Sequence, residues 1–272
     1  MSDTVETKET SPDLSTQKQN VVADMAPLVG RVREFLEGRT ERTVSSDAPY
    51  DLSTLSGRFG FSEKRKGSPE VILGEDVAVE LGHPSTASQV IVLLCHEAGL
   101  VRNGRISIVG PDLDEMEGGG RHPFAQVVML AVKPGQTPDP FEIDNTQYLM
   151  HRLAGYMVRS VPGRLWVRVS KSGRAAGLTL ETVGSALIAA YTYDFEEVEG
   201  AEVVFVTSSP SDVEALSQIS TEANILAGRH KKLALGVDGE VECQELNCET
   251  CDEQEVCDSL RDIVIKRRKK GE

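Results

Sequence analysis

The sequence has no long apolar runs. The longest are VIVLLC at Val90–Cys95 and FAQVVMLAV at Phe124–Val132, far short of the roughly 20 residues that a membrane helix needs. These runs read as core segments, and no membrane partner is expected. Positive charge is also scarce: 29 Lys and Arg stand against 43 Asp and Glu, a formal net charge of −14. A general nucleic-acid binder needs a basic face to neutralise phosphates, so no nucleic-acid partner is expected either. The opening MSDTVETKETSPDLSTQKQN has almost no large apolar residues and no charged-then-apolar signal pattern. Residues 1–25 therefore read as a disordered tail, and the expected location is cytoplasmic. Gly-x-Ser-x-Gly does not occur, and His83, His96, His122 and His151 are scattered without hydrolase or zinc spacing. The glycine run in EMEGGGRHP, Glu115–Pro123, lacks the lysine and Ser/Thr of a P-loop and reads as a flexible hairpin loop.

The remaining composition, 39% hydrophobic, suffices to fill a core without staples. EVILGEDVAVELG, Glu70–Gly82, reads as two short strands around a turn, and RISIVGPDL, Arg105–Leu113, as a strand ending in Gly-Pro-Asp. Phe124–Val132 is a strand closed by KPGQTPDP. TQYLMHRLAGYMVRSV has apolar residues at Leu149, Leu153, Tyr156 and Met157, the spacing of an amphipathic helix that Asp144 can cap. RLWVRVS follows as a strand, Thr179 and Glu181 open a helix, AEVVFVTS is a further strand, and Ser211 and Asp212 open a helix through Leu226. Alternating strands and helices predict an α/β fold, a layered domain over residues 26–236 with helices on a mixed sheet. A small cysteine-cluster segment and basic tail fill 237–272.

Four of the five cysteines, Cys243, Cys248, Cys251 and Cys257, fall in CQELNCETCDEQEVC. With no signal pattern, clustered thiols point to metal or redox chemistry rather than disulfides. Zinc favours two C-x-x-C pairs or one with two histidines, and the nearest histidine is His230. The spacing C-x4-C-x2-C-x5-C suits the four thiolates of an iron–sulfur cluster better; zinc is the alternative and a redox dithiol comes third. Cys95, inside VIVLLC, reads as a buried, inert thiol. The run IKRRKK, Ile265–Lys270, reads as a solvated end.

A second constellation reverses the sign of the chain. Arg152, Arg159, Arg164, Arg168, Lys171 and Arg174 surround the only tryptophan, Trp166. Guanidinium groups grip phosphates by paired hydrogen bonds, and an indole face stacks on a base or an arginine, so a nucleotide-tailed ligand would use both. The plainer reading keeps these cations on solvated helix and strand positions with Trp166 in the core. Asp112, Asp114, Glu115 and Glu117 could bind a hard cation, although acids beside Gly-Pro more often serve turns.

Five stretches, in order, carry a family resemblance: VAVELGHPSTASQVIVL, GRISIVGPDLDEM, RLWVRVSKSGRAAG, AEVVFVTS and NCETC. Over roughly Glu70 to Cys257 the chain resembles nickel-containing acetyl-CoA synthase, its middle domain running into its metal-cluster domain. VGPDLDE and WVRVSK are the most specific pieces. The resemblance implies one-carbon and carbon monoxide metabolism in an anaerobe: an acyltransferase joins a methyl group from a corrinoid iron–sulfur protein, carbon monoxide and coenzyme A at a 4Fe-4S cluster bridged to two nickel ions. It also implies coenzyme A bound near a tryptophan, which maps to Trp166 with Arg159, Arg164, Arg168, Lys171 and Arg174. Cys248 and Cys251 match the first C-x-x-C of the family's cluster, Cys257 its third ligand across a shorter loop, and only the upstream Cys243 can stand in for the fourth. The Cys-Gly-Cys that holds the family's distal nickel does not occur here. An iron–sulfur cluster is therefore expected, nickel is not, and the chain is not expected to assemble acetyl-CoA alone. An accessory subunit working with the corrinoid protein or with carbon monoxide dehydrogenase subunits is the leading expectation. The alternative is a non-catalytic iron–sulfur or zinc protein for electron transfer or metal delivery.

Overall fold

The computed structural model describes residues 25–45, 71–136, 138–161, 164–227, 234–235 and 241–242. Two compact units divide the chain, residues 1–227 and 228–272. In the first, a five-stranded mixed sheet has the order β1-β4-β9-β6-β3, built from β1 (Glu41–Ser45), β3 (Ser88–Cys95), β4 (Arg105–Val109), β6 (Phe124–Val132) and β9 (Val198–Val206). A four-stranded sheet has the order β5-β2-β8-β7, from β2 (Val77–Leu81), β5 (Arg121–His122), β7 (Tyr156–Val161) and β8 (Arg164–Ser170). In the second unit the described residues are one short antiparallel pair, Ala234–Leu235 with Val241–Glu242.

The large sheet is covered on both faces, which explains why β6 is buried along its whole length instead of alternating. On one face Ile91, Leu93, Val127, Met129 and Val204 pack against α1 (Ala26–Leu36), α5 (Pro210–Ala215) and α6 (Ser217–Leu226). On the other, Val92, Leu94, Val128, Leu130 and Phe205 share a core with α4 (Leu180–Asp194) and with Leu165, Val167 and Val169 of β8. Strand β8 alternates: those three residues point inward, while Arg164, Trp166 and Arg168 point outward. Helix α1 is fixed to the large sheet by a buried carboxylate. Glu202 of β9 is fully buried and accepts Arg33 Nη1 at 2.5 Å and the Arg102 amide at 2.7 Å, the pairing that a buried charge requires.

The expected α/β architecture is present, but four local expectations are not. Thr146–Val161 is not one helix. Helix α2 (Pro140–Tyr148) gives way to a single 3₁₀ turn, Leu149–Arg152, and then to strand β7. The helical spacing of Leu153, Tyr156 and Met157 correctly marked buried positions, all three being buried, but it misassigned the period. Gly155, at φ +79°, reverses the chain between the two elements. A Cβ there would stand 2.6 Å from Gly173 Cα, so both glycines serve a close backbone approach. Asp144 lies inside α2 rather than capping a helix. Glu70–Gly82 supplies one described strand, β2, after a 3₁₀ turn at Gly74–Asp76. The helix expected through Leu226 is broken at Leu216, and its cap is Ser209, whose side chain accepts from the Asp212 amide.

The Gly-Pro-Asp turn also joins distant elements. Asp112 is buried, and its Oδ1 accepts the Leu113 amide at 2.6 Å and the Leu180 amide, at the start of α4, at 2.7 Å. Asp112→Ala leaves the buried Leu180 N–H unsatisfied and is expected to cost about 1–3 kcal/mol. Urea unfolding measures this, and Asp112→Asn, which keeps an acceptor oxygen, should recover part of the loss.

Candidate functional site

The basic residues that crowd together in sequence separate in space along β8. Arg164 sits exposed at its start, with Nη1 3.5 Å from the Pro84 carbonyl, at the limit of hydrogen bonding. Lys171 and Arg174 lie just past its end, on the short helix α3 (Lys171–Ala175). A strand rises about 3.3 Å per residue, so Arg164 and Ser170 are about 20 Å apart, too far for both ends to hold one phosphate. In the middle, Trp166 is half-buried; the Arg168 guanidinium lies 5.0 Å from its ring centre and the His83 ring meets it edge-on at 5.4 Å. Arg159 pairs with Trp166 in the β7–β8 register.

Not all of these cations are available to a ligand. Glu80, directly opposite Arg168 across the β2–β8 ladder, accepts Arg168 Nε at 2.7 Å and Arg121 Nε at 3.1 Å, and Arg168 also donates Nη1 to the Ile72 carbonyl at 3.1 Å. Burial pushes the Glu80 carboxyl up, but the hydrogen bonds from Arg168 and Arg121 outweigh it and hold the group below the usual carboxylate range. Lys171 and Arg174 differ. Lys171 Nζ donates to the Glu75 carbonyl at 2.7 Å, and Arg174 Nη2 donates to the carbonyls of Asp114 at 2.9 Å and Met116 at 2.7 Å. Among the described residues no carboxylate comes within 4.0 Å of either cation. Both line a cleft of about 590 Å³ with Gly74, Glu75, Val77, Ala78, Gly118, Gly119 and Ala175.

Glu80, Arg121 and the glycines at 118 and 119 were not singled out from sequence as binding residues. The glycine run fails the P-loop pattern, and its use here is different: it forms an anchored turn, with the Gly119 amide on the Ala78 carbonyl at 2.7 Å and the Glu80 amide on the Gly120 carbonyl at 3.1 Å. The acidic cluster serves the turn. Asp112 caps Leu180, while Glu115 accepts the Asp112 amide at 2.8 Å and Arg42 Nη2 at 2.6 Å. Among the described residues no three His, Cys, Asp or Glu side chains converge to hold a metal ion. Cys95 is buried, which pushes its thiol up. Cys243, Cys248, Cys251 and Cys257 lie outside the described residues, as does the basic run at 265–270. No helix among the described residues is long and apolar enough to cross a membrane.

Comparison with known proteins gives this geometry a context. A family model described as "CO dehydrogenase/acetyl-CoA synthase complex beta subunit" matches residues 61–212, a span that contains Glu80, the glycine turn and all of β8. The beta subunit of the acetyl-CoA decarbonylase/synthase complex of Archaeoglobus fulgidus is 26% identical over 192 residues, 69% of this chain and 34% of the relative. The corresponding subunit of Methanothermobacter thermautotrophicus is 27% identical over 189 residues, 69% of this chain and 38% of the relative. That of Methanopyrus kandleri is 30% identical over 173 residues, 61% and 33%. The chain therefore spans about a third of the length of the curated relatives it matches.

The Glu80 bridge makes a pH-dependent prediction. Because its folded pKa is depressed, Glu80 contributes stability that is fully present above its unfolded value, near 4.5, and is lost as pH falls through the lower folded value. Glu80→Gln should cost about 1 kcal/mol at pH 7, a figure discounted for the solvent access of Arg121. The Tm gap between wild type and variant should narrow below pH 4.5; a gap that is constant from pH 7 to pH 3 would show that the carboxylate charge does not carry the interaction.

Proposed function

Because the chain belongs to the CO dehydrogenase/acetyl-CoA synthase complex beta subunit family, matched over more than half of its length, we propose that it is a coenzyme A-binding and cluster-bearing module of that chemistry. On this reading coenzyme A lies along the outer side of β8. The adenine end is reported by Trp166, and the phosphate-bearing parts meet the cations that no carboxylate among the described residues neutralises. The observation that carries the reading is the division among those cations. In a chain of net charge −14, Arg168 and Arg121 are paired with Glu80, while Lys171 and Arg174 are held by neutral carbonyls beside an open cleft. Positioned but uncompensated cations are what a polyanionic ligand requires.

Cys243, Cys248, Cys251 and Cys257 supply four thiolates, the donor set that a 4Fe-4S cluster takes. Bound there, a cluster would supply one-electron chemistry or a Lewis-acidic iron. The partners expected are the carbon monoxide dehydrogenase subunits of the complex or a corrinoid iron–sulfur protein. The module's contribution to acyl transfer would be to bind and orient the thiol donor.

Two measurements test these assignments. Trp166 is the only tryptophan, so coenzyme A titration should change its emission saturably, and rising salt should weaken the binding. An unresponsive signal at millimolar coenzyme A, with calorimetry also silent, rules the ligand out. Protein prepared anaerobically should contain iron and sulfide and bleach on reduction. Cys248→Ser or Cys251→Ser should release the metal, whereas Cys95→Ser should not. Stoichiometric zinc without sulfide contradicts the cluster.

A further inference from the structure

We infer that helix α1 and strand β1 form a strap that opens as a unit from the large sheet, held shut by ion pairs that exchange partners when it leaves. The strap precedes the residues matched by the family model and contributes none to the cleft beside β8.

Charge is concentrated on this segment. Six of the nine ion pairs among the described residues join it to the rest of the fold. Arg31 reaches Glu222 of α6 at 2.5 Å, Arg39 reaches Asp212 of α5 at 3.0 Å, and Arg42 reaches Glu115 at 2.6 Å and Asp112 at 4.0 Å. The pairs of Arg31, Arg39 and Arg42 with Glu222, Asp212 and Glu115 are partly open to solvent, where salt screens them. Against opening stand the β1–β4 ladder and the buried Leu28, Val29, Val32 and Leu36 of α1, so the open form is a minor state. Because β1 is an edge strand, its departure leaves the other four strands of the sheet paired as they are. What it uncovers is apolar: Ile91, Leu93 and Val204 share their core with α1.

The innermost pairs explain how such a segment can leave. Glu202 is fully buried, and withdrawing its only cation would strand a carboxylate in the core. The strap, however, removes one charge of each sign: Arg33, which holds Glu202, and Glu41, which holds Arg105 Nη2 at 2.5 Å. The two charges left behind are Glu202 on β9 and Arg105 on β4, strands paired in parallel, and they already stand 3.9 Å apart. Once Glu41 departs, Arg105 gains the donors that Glu202 has lost, and the Arg102 amide continues to hold the carboxylate. The closed network is also incompletely satisfied, since Glu41 Oε2 is buried with no hydrogen-bond partner among the described residues. Two ion pairs in the closed form thus become one on the body and two solvated side chains on the strap, and no buried charge is abandoned.

Amide hydrogen exchange of the full chain, resolved by mass spectrometry at about 0.05 M and about 1 M sodium chloride, tests this directly. In wild type, residues 26–36 and 41–45 should exchange about fivefold or more faster in high salt, while β6 stays within about twofold. Arg33→Gln should speed strap exchange roughly tenfold at low salt with β6 again within about twofold, because Arg105 takes over Glu202. Adding Arg105→Gln should strand the carboxylate and speed β6 exchange by far more than the product of the single effects. Adding Glu202→Gln to that pair should restore β6 protection. The control Lys133→Ala, which removes an exposed lysine bonded to the Glu196 carbonyl, should leave strap exchange within about twofold of wild type. If strap and β6 exchange together at both salt concentrations in wild type, there is no separate opening and the inference is overturned. If the strap opens with salt but Arg33→Gln speeds β6 as much as the double variant does, the exchange of partners is overturned.

Discussion

Glu80 is the interaction on which the cationic face depends. Its carboxylate takes Arg168 from β8 and Arg121 from β5, and thereby joins the strand that carries Trp166 to the strand that follows the glycine turn. Without it, two guanidinium groups would stand together on one sheet face with no compensating charge, and β2 would lack the polar tie between its two neighbours. The bridge also sorts the arginines and lysines. Those facing Glu80 are structural, and a ligand would have to displace a partly buried carboxylate to use them. Lys171 and Arg174 are fixed by carbonyl oxygens and have no carboxylate partner among the described residues.

That sorting follows from the topology. Strand β8 alternates, so every second residue from Arg164 to Arg168 reaches the outer face while Leu165, Val167 and Val169 hold the sheet on the core. The chain then turns at Ser170, whose hydroxyl accepts the Gly173 amide at 3.0 Å, into a helix too short to bury much of itself. Gly173 and Gly155 bring that helix against the loop entering β7. Lys171 and Arg174 are thus delivered to the cleft by the segment WVRVSKSGR, which also carries part of the family resemblance. The motif combines a core strand, a backbone contact and a pair of cations.

Much of this was legible in the sequence. The bounds of β6 and β8 are legible directly: strict alternation marks β8, and the apolar run of β6 is closed by the prolines and glycine of KPGQTPDP, which cannot continue a sheet. Tyr156–Val161 was not: its apolar spacing fits a helix as well as a strand, and only pairing with β8 decides the matter. The basic residues and the tryptophan were visible as a local reversal of charge, but which cations stay uncompensated was not. That depends on Glu80, about 90 positions upstream of Arg168 in the chain yet opposite it across the sheet. In sequence the glycine turn reads only as a loop, since the groups it meets, the Ala78 carbonyl and Arg174, come from two other elements.

Amide hydrogen exchange in the presence and absence of coenzyme A tests the central claim most directly, because it reports where the ligand sits. Protection is predicted over residues 74–78, 118–120 and 171–175, the three segments that surround the cleft, with a smaller effect around Trp166. Saturating coenzyme A that protects other segments, or none, while leaving these three unchanged would contradict the account.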